Sequence, residues 1–358
     1  MAWIKPKGYK KSEIDHAGDV LISGQAQPEE IEQAIVVLDN WRACHSYPMH
    51  VFKIRLKNSA LAVDPKALTA QRLKRVPAIL KKLARSYHGR RPSMQLSQMQ
   101  DIGGCRAILS NVVFARKLCD EHYLKGDLKH KRVGLKDYIA APKEDGYRGI
   151  HLIYKYASDK GKAEFNDLLV EIQIRSKLQH LWATAVETVG FFTRQAIKSS
   201  EGSPEWTDFF RLVSAALAKM ENCPPVSNTP SDERELYLEI KKKESELNVV
   251  SEMSSWTNAI KIFRNTVKHS PKFQNFQYFL LELDITGERL NITGYTRQQE
   301  QKAISEYDEA EKRYRGKKEY DVVLVGSESA DLEKAYPNYF VDTQEFISIL
   351  KKIVTKYS

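Results

Sequence analysis

The stretch DLLVEIQIR, residues 167–175, has a period of two. Successive side chains of a β-strand point to opposite faces. Val170, Ile172 and Ile174 therefore share one face, and Glu171, Gln173 and Arg175 share the other. Such a strand must bury its apolar side in a core while an acid, an amide and a guanidinium stand in a row on the other side. Two further runs read as strands, GCRAILS at 104–110 and GIHLIYKYA at 149–157. A helical stretch, VVFARKLCDEHYLKG, and a loop rich in Lys, Pro and Gly separate them, and a helix over about 176–198 follows the third strand. The pattern predicts a mixed α/β core over roughly residues 60–200. Alternation alone also describes a half-exposed strand with its wet side turned to solvent, so the polar row needs company to count as a site.

Around this core the chain divides by pattern. Residues 10–50 read as helices, with acids in the first turn of PEEIEQAIVVLDNW and apolar residues at Ile31, Ala34, Ile35 and Leu38. A second helix is predicted over 66–87, where Leu73, Val76, Leu80, Leu83 and Tyr87 recur at spacings of three and four. Residues 222–232, NCPPVSNTPSD, read as a linker. Beyond it come a charged helix over 233–268, the hairpin YFLLELDITGERLNITGYT, a further helix, the strand YDVVLVGS and short helices. The expected organisation is an N-terminal helical region (1–60), an α/β domain (61–222) and a small C-terminal α/β domain (233–358) of regulatory character.

Charge and cysteine usage narrow the partners. The chain carries a formal net charge of +10 over 358 residues. That balance fits an anionic partner, either nucleic acid or a nucleotide with several phosphates, though a lysine-rich surface also simply confers solubility. The run RLKRVPAILKKLARSYHGRR at 72–91 holds eight Lys or Arg and no acid. Cys44, Cys105, Cys119 and Cys223 lack metal-ligand spacing, which favours reduced thiols in a cytoplasmic setting. No stretch approaches the roughly 18 apolar residues of a membrane span. The N-terminal lysines are not followed by the apolar core of a signal peptide.

The carboxylates supply the chemistry. In DIGGCRAILS, residues 101–110, Asp101 stands just ahead of an apolar run that carries Arg106. With Glu171 it gives two acids at strand positions of one sheet, among many cations. Carboxylates in such company suit Mg²⁺, which takes oxygen ligands and bridges to substrate phosphates. Phosphoryl-type transfer depends on positioning, metal and cationic clamps. The loop KDYIAAPKEDGYRGIH, 136–151, adds Lys136, Lys143 and Arg148, with Tyr147 between Gly146 and Gly149. An aromatic beside glycines and bases makes a platform for a nucleobase. There is no GxxxxGK[ST] P-loop.

Taken together, RLK…ILKKL (72–83), DIGGCR (101–106), KDYIAAPKEDGYRGIH (136–151) and EIQIRSKLQH (171–180) resemble the RelA/SpoT synthetase domain of the alarmone-making pyrophosphokinases. The resemblance spans about residues 55–195 and implies a nucleotidyltransferase-like mixed sheet flanked by helices. It implies transfer of the β,γ-diphosphate of ATP to the 3′-hydroxyl of GTP or GDP, with Mg²⁺ as cofactor and AMP released. By the same resemblance Arg72, Lys74, Lys82 and Arg106 bind ATP. Asp101 and Glu171 hold the metal, and Glu171 also activates the hydroxyl. Lys136, Lys143, Tyr147, Arg148, His151, Gln173 and Arg175 face the acceptor. Ala78 and Gly149 stand where the family often has Ser, and Ser176 where it has Thr. Gly149 neighbours the acceptor tyrosine, so adenine nucleotides and the 3′ end of tRNA stay open as alternative acceptors. A non-catalytic nucleotide sensor is the third reading, against which the retained pair Asp101 and Glu171 argues.

Other residues carry blander expectations. His180 and Trp182 read as helix packing. Trp41, Arg42 and His45 lie close together in NWRACHSYP, where they either cap the active site or touch substrate, or form a structural helix end, the reading preferred here. Gly326 reads as a structural turn. Nothing in the sequence sets an oligomeric state.

Overall fold

In a computed structural model, the structure describes residues 3–74, 76–85, 94–159, 161–196, 204–255, 257–258, 276, 278–284, 289–314, 317, 320–326 and 339–357. The chain forms two compact units. The first comprises Met1–Ala141 and Arg148–Lys177, the second Pro142–Tyr147 and Leu178–Ser358. This division differs from the expected boundaries near residues 60 and 222.

The first unit begins with three helices, α1 (Lys11–Ser23), α2 (Pro28–Cys44) and α3 (Ser46–Val63). Helix α2 starts where the sequence signals it: Pro28 occupies the first turn, and Glu30 accepts the Gln27 backbone N–H at 3.0 Å. Five strands follow: β1 (Leu68–Leu73), β2 (Gly103–Leu109), β3 (Lys131–Asp137), β4 (Ile150–Lys155) and β5 (Leu169–Ser176). Their spatial order is β1-β2-β5-β4-β3. Strands β2 and β5 are parallel and every other pairing is antiparallel, so the sheet is mixed, as expected. One face, with Cys105, Ala107, Ile172, Ile174, Ile150 and Leu152, is fully buried, and α3 packs against it. The Cys105 thiol sits 3.3 Å from the Met49 carbonyl on that side.

The helix expected over 66–87 is in fact two elements. Leu68–Leu73 is an edge strand paired to β2, and only α4 (Val76–Leu83) is helical. Pairing with the glycine-led start of β2 overrides the apolar spacing, and Pro77 falls in the first turn of the shorter helix, where its missing N–H costs least. Strand β3 also lies in what reads from sequence as loop. The segment between β2 and β3 holds α5 (Val112–Lys117), capped by Asn111 and continued by a π-helical turn over Leu118–Leu124. Arg90 and Arg91, at the end of the basic run, lie outside the described residues.

In the second unit α6 (Lys177–Ala196), α7 (Pro204–Met220) and α8 (Glu233–Leu247) share one core with strand β6 (Tyr278–Asp284) and the helix Tyr339–Thr355. Strands β7 (Arg289–Tyr295) and β8 (Tyr320–Gly326) flank β6 in an antiparallel sheet. Alternation along β6 sends Phe279 and Leu281 into that core and Leu280 into a second cluster with Ala303 and Tyr307 of the helix Glu300–Tyr314. The hairpin expected from sequence is thus β6–β7.

The proline-rich segment 222–232 lies inside this unit and is tied down. Arg211 donates to the Asn228 carbonyl at 2.6 Å, Lys219 donates to the Ser231 carbonyl, and Val226 is 3% exposed. The segment Pro142–Tyr147 belongs here too. Ser214 donates to the Gly146 carbonyl at 2.6 Å, and a Cβ on Gly146 (φ +94°) would lie 2.9 Å from the Ser214 Cβ. Trp182 donates its indole N–H to the Phe210 carbonyl at 2.8 Å and is 4% exposed, which is packing, as its sequence context indicates. Among the described residues no helix is long and apolar enough to cross a membrane.

Candidate active site

The site grows from the register of the first sheet. One row of cross-strand partners runs Ala70, Arg106, Gln173, His151, Lys136, from β1 through β2, β5 and β4 to β3. The next row runs Arg72, Gly104, Glu171, Ile153, Gly134. Paired residues project to the same face, so Arg72, Arg106, Glu171, Gln173, His151 and Lys136 all rise from the side opposite α3. Gly104 leaves open space between Arg72 and Glu171: a Cβ built there meets only backbone oxygens, at 3.8 and 3.9 Å.

Asp101 sits in the turn ahead of β2 and is held from both sides. Lys74, just past β1, and Lys82, on α4, each place Nζ 2.9 Å from one of its oxygens. Burial alone would raise the Asp101 pKa. The two ammonium groups outweigh it and hold the carboxyl below its ordinary 3.8. Glu171 accepts from the Gln173 amide at 2.6 Å, and His151 Nδ1 lies 2.8 Å from its other oxygen. Here too burial pushes upward, but the bonds from His151 and Gln173 prevail and keep Glu171 below 4.5, while the negative charge of Asp101 works against them. Both acids are therefore carboxylates at neutral pH. Since the Glu171 carboxylate only accepts, His151 Nδ1 carries the proton of their bond.

Gln173 organises the cations. Its carbonyl oxygen accepts from Arg175 Nη2 at 3.1 Å and from Arg106 Nε at 3.4 Å, while its amide donates to Glu171. Arg175 is buried to 4% exposure. Gly149 makes room for it: with φ at +146°, a Cβ there would lie 3.2 Å from the Arg175 Cγ. A glycine at 149 thus suits this backbone and leaves room for Arg175. Arg148 is also buried, at 4%. Lys136 and Arg72 are exposed on the polar face. Lys143 and Tyr147 belong to the second unit, where the ammonium lies 5.0 Å from the tyrosine ring centroid and the ring meets Trp182 edge-on at 6.5 Å.

Sequence reading assigns His151 to the acceptor; the structure puts it on Glu171. Sequence reading also leaves Arg42 at a helix end, whereas its Nε donates to the Lys74 carbonyl at 2.7 Å. The clustering of Trp41, Arg42 and His45 was the available signal.

Chemically, the face sets two carboxylates against Lys74, Lys82, Arg106 and Arg175. The excess of cations suits a polyphosphate, and paired carboxylate oxygens beside it suit a hard divalent cation that keeps several other ligands. This donor set fits Mg²⁺, which Asp101 and Glu171 would hold. A mixed sheet carrying such a face offers a cation-rich surface suited to a polyphosphate. Residues 71–190 match the family described as a region found in RelA/SpoT proteins. The GTP pyrophosphokinase YjbM of Bacillus subtilis is 32% identical over 137 residues, which is 36% of this chain and 58% of that protein. The chloroplastic GTP diphosphokinase CRSH2 of Oryza sativa subsp. japonica is 37% identical over 103 residues, 27% of this chain and 17% of that protein. The chain thus spans less than two thirds of either curated relative. Among solved structures, the small alarmone synthetase 1 from Bacillus subtilis bound to its product pppGpp aligns at 25% identity with a TM-score of 0.41. That alignment covers 49% of this chain and 88% of that one.

Proposed function

We propose that the chain is an ATP-dependent pyrophosphokinase that moves the β,γ-diphosphate of ATP to the 3′-hydroxyl of GTP or GDP, making (p)ppGpp and releasing AMP. The observation that carries this reading is the pair Asp101 and Glu171, both ionised, on one cation-rich face within a RelA/SpoT region. The names of the two relatives, GTP pyrophosphokinase and GTP diphosphokinase, support the acceptor class.

In this mechanism Lys74, Lys82, Arg72 and Arg106 bind and orient the donor triphosphate. By the RelA/SpoT resemblance, Lys136, Lys143 and Arg148 are assigned to the acceptor phosphates and Tyr147 to its base. Glu171, steadied by His151 and Gln173, takes the proton of the 3′-hydroxyl as its oxygen bonds to the β-phosphorus. The bond from that phosphorus to the oxygen bridging it to the α-phosphate breaks, and AMP leaves with the electron pair. Arg175 holds Gln173, and through it Glu171, in place. Mg²⁺ on Asp101 and Glu171 supplies neutralisation of the charge that builds on the phosphoryl oxygens.

The test is incubation with γ-labelled ATP and Mg²⁺ against GTP, GDP, ATP and bulk tRNA separately. Label in GTP or GDP with equimolar AMP supports the reading. The +10 charge favours tRNA as the second acceptor, and label in tRNA alone would refute the guanine-nucleotide assignment while leaving the transfer chemistry standing. Label in no acceptor, with nucleotide still bound, would mark a sensor.

A further inference from the structure

The last turn of α2 lies far in sequence from the motifs of the site, yet it touches the parts that hold Asp101. Arg42 donates Nε–H to the Lys74 carbonyl at 2.7 Å. The Lys74 backbone N–H is fixed to the Ile102 carbonyl at 2.8 Å, and its ammonium reaches Asp101 at 2.9 Å. The Lys74 peptide is therefore clamped between Ile102, just ahead of β2, on one side and α2 on the other. Trp41, one residue earlier, packs on the same apolar cluster as Val76 and Leu80 of α4, the helix that carries Lys82. His45, at the junction with α3, is fully buried and sets its Cβ 3.3 Å from where a side chain on Gly103 would begin. One helical turn thus braces both lysines and the glycine two residues after Asp101. A guanidinium spent on a main-chain carbonyl, with no carboxylate of the described residues among its hydrogen bonds, fixes a backbone position more than it balances charge.

We propose that Arg42 is a positioning residue for the donor-phosphate site. It holds the Lys74 peptide so that the ammonium is delivered to Asp101 and to the triphosphate, and it makes the N-terminal helices part of that site. This inference rests on the pyrophosphokinase reading above. If Arg42 acts through Lys74, its loss matters only while Lys74 is present, and it affects the donor more than the acceptor.

The experiment is a double-mutant cycle on the full chain with Arg42→Ala, Lys74→Met and the pair. Binding of a non-hydrolysable ATP analogue with Mg²⁺ is measured by calorimetry, and KM for ATP and GTP alongside. We expect Arg42→Ala to weaken analogue binding and raise KM for ATP by about ten- to a hundredfold, as for loss of a charge-assisted bond, with KM for GTP within twofold. In the Lys74→Met background the same change should add less than twofold. Arg42→Gln, whose amide can still donate to the carbonyl, should recover most of the binding and covers the case in which Arg42→Ala folds poorly. Additive losses in the cycle, equal effects on both substrates, or failure of Arg42→Gln to recover binding would each overturn the proposal while an active wild type keeps the pyrophosphokinase reading intact. A wild type that binds no analogue and releases no AMP would overturn both.

Discussion

Replacing Lys82 by methionine should make the protein bind a bare divalent cation more tightly. Asp101 is shared between Lys74 and Lys82, one to each oxygen, at 2.9 Å and with the side chains 17% and 27% exposed. A metal that arrives without nucleotide must displace an ammonium from the carboxylate it needs. A metal that arrives with a triphosphate brings phosphate oxygens to which the ammonium can move. On the proposed function, the lysines would therefore penalise free metal and favour the metal–nucleotide complex. A hydrogen bond to a charged group in such a partly buried place contributes roughly 1.5–3 kcal/mol, and about 1.4 kcal/mol is a factor of ten in affinity. Lys82→Met keeps the aliphatic stem and removes the competitor, so Mn²⁺ should bind on the order of ten- to a hundredfold more tightly in the absence of nucleotide. The same variant should bind the ATP analogue more weakly. Loss of the free Mn²⁺ signal in electron paramagnetic resonance titrations reads the first effect, and calorimetry the second. Unchanged or weaker Mn²⁺ binding by Lys82→Met would show that the ammonium does not stand in the metal's place, and the account of Asp101 would fall.

Further outcomes follow from the same geometry. Glu171→Gln preserves shape but removes the proton acceptor, and Asp101→Asn removes metal charge; each should lower AMP release on the order of a hundredfold or more with the fold retained by circular dichroism, and near-normal release by Glu171→Gln would remove Glu171 from its role. Gly149→Ala forces a side chain into φ +146° against Arg175, at a cost of roughly 1–3 kcal/mol, so the calorimetric Tm should drop by several degrees, and an unchanged Tm would contradict the tight fit. The Asp101 and Glu171 pKa values are held below 3.8 and 4.5, so the stability these carboxylates contribute is fully present above the ordinary values and is lost as pH falls through the lowered ones. Denaturant midpoints should accordingly be insensitive to these two groups between about pH 6 and 8, and the double variant Asp101→Asn, Glu171→Gln should lose less stability than wild type on acidification below pH 4.

The three inner strands were legible in the sequence and the two outer ones were not. Strands β2, β4 and β5 each bury at least one whole face, and burial writes a run of Cys, Ile, Leu and Val into the chain. Strands β1 and β3 lie at the sheet edges, and their segments LTAQRL and KRVGLKD are mostly exposed, so the period of two is diluted by Gln, Arg and Lys. The polar face was legible because Glu171, Gln173 and Arg175 alternate with isoleucine. Which group serves which was not: residue types place lysines near Asp101, but only the turn from β1 into α4 brings Lys74 and Lys82 to opposite oxygens of one carboxylate. The pairing of His151 with Glu171 depends on the register of β4 against β5, which no local pattern records. The expected break at 222–232 followed from three prolines in eleven residues, yet local stiffness does not separate domains when Arg211 and Lys219 reach back to hold the segment.

That held segment bears on how such a chain could be inherited. Helices α6 and α7 precede it, while α8, β6 and the final helix follow it, and all of them contribute side chains to one apolar core that includes Phe209, Phe210, Leu236, Phe279 and Phe346. A gene shortened at the prolines would encode α6 and α7 with their buried faces bare. A gene that acquired only the later part would encode a sheet and helices lacking half their interior. The stretch before the prolines and the stretch after them are thus bound to descend together, and recombination that respects the core must exchange them as one block.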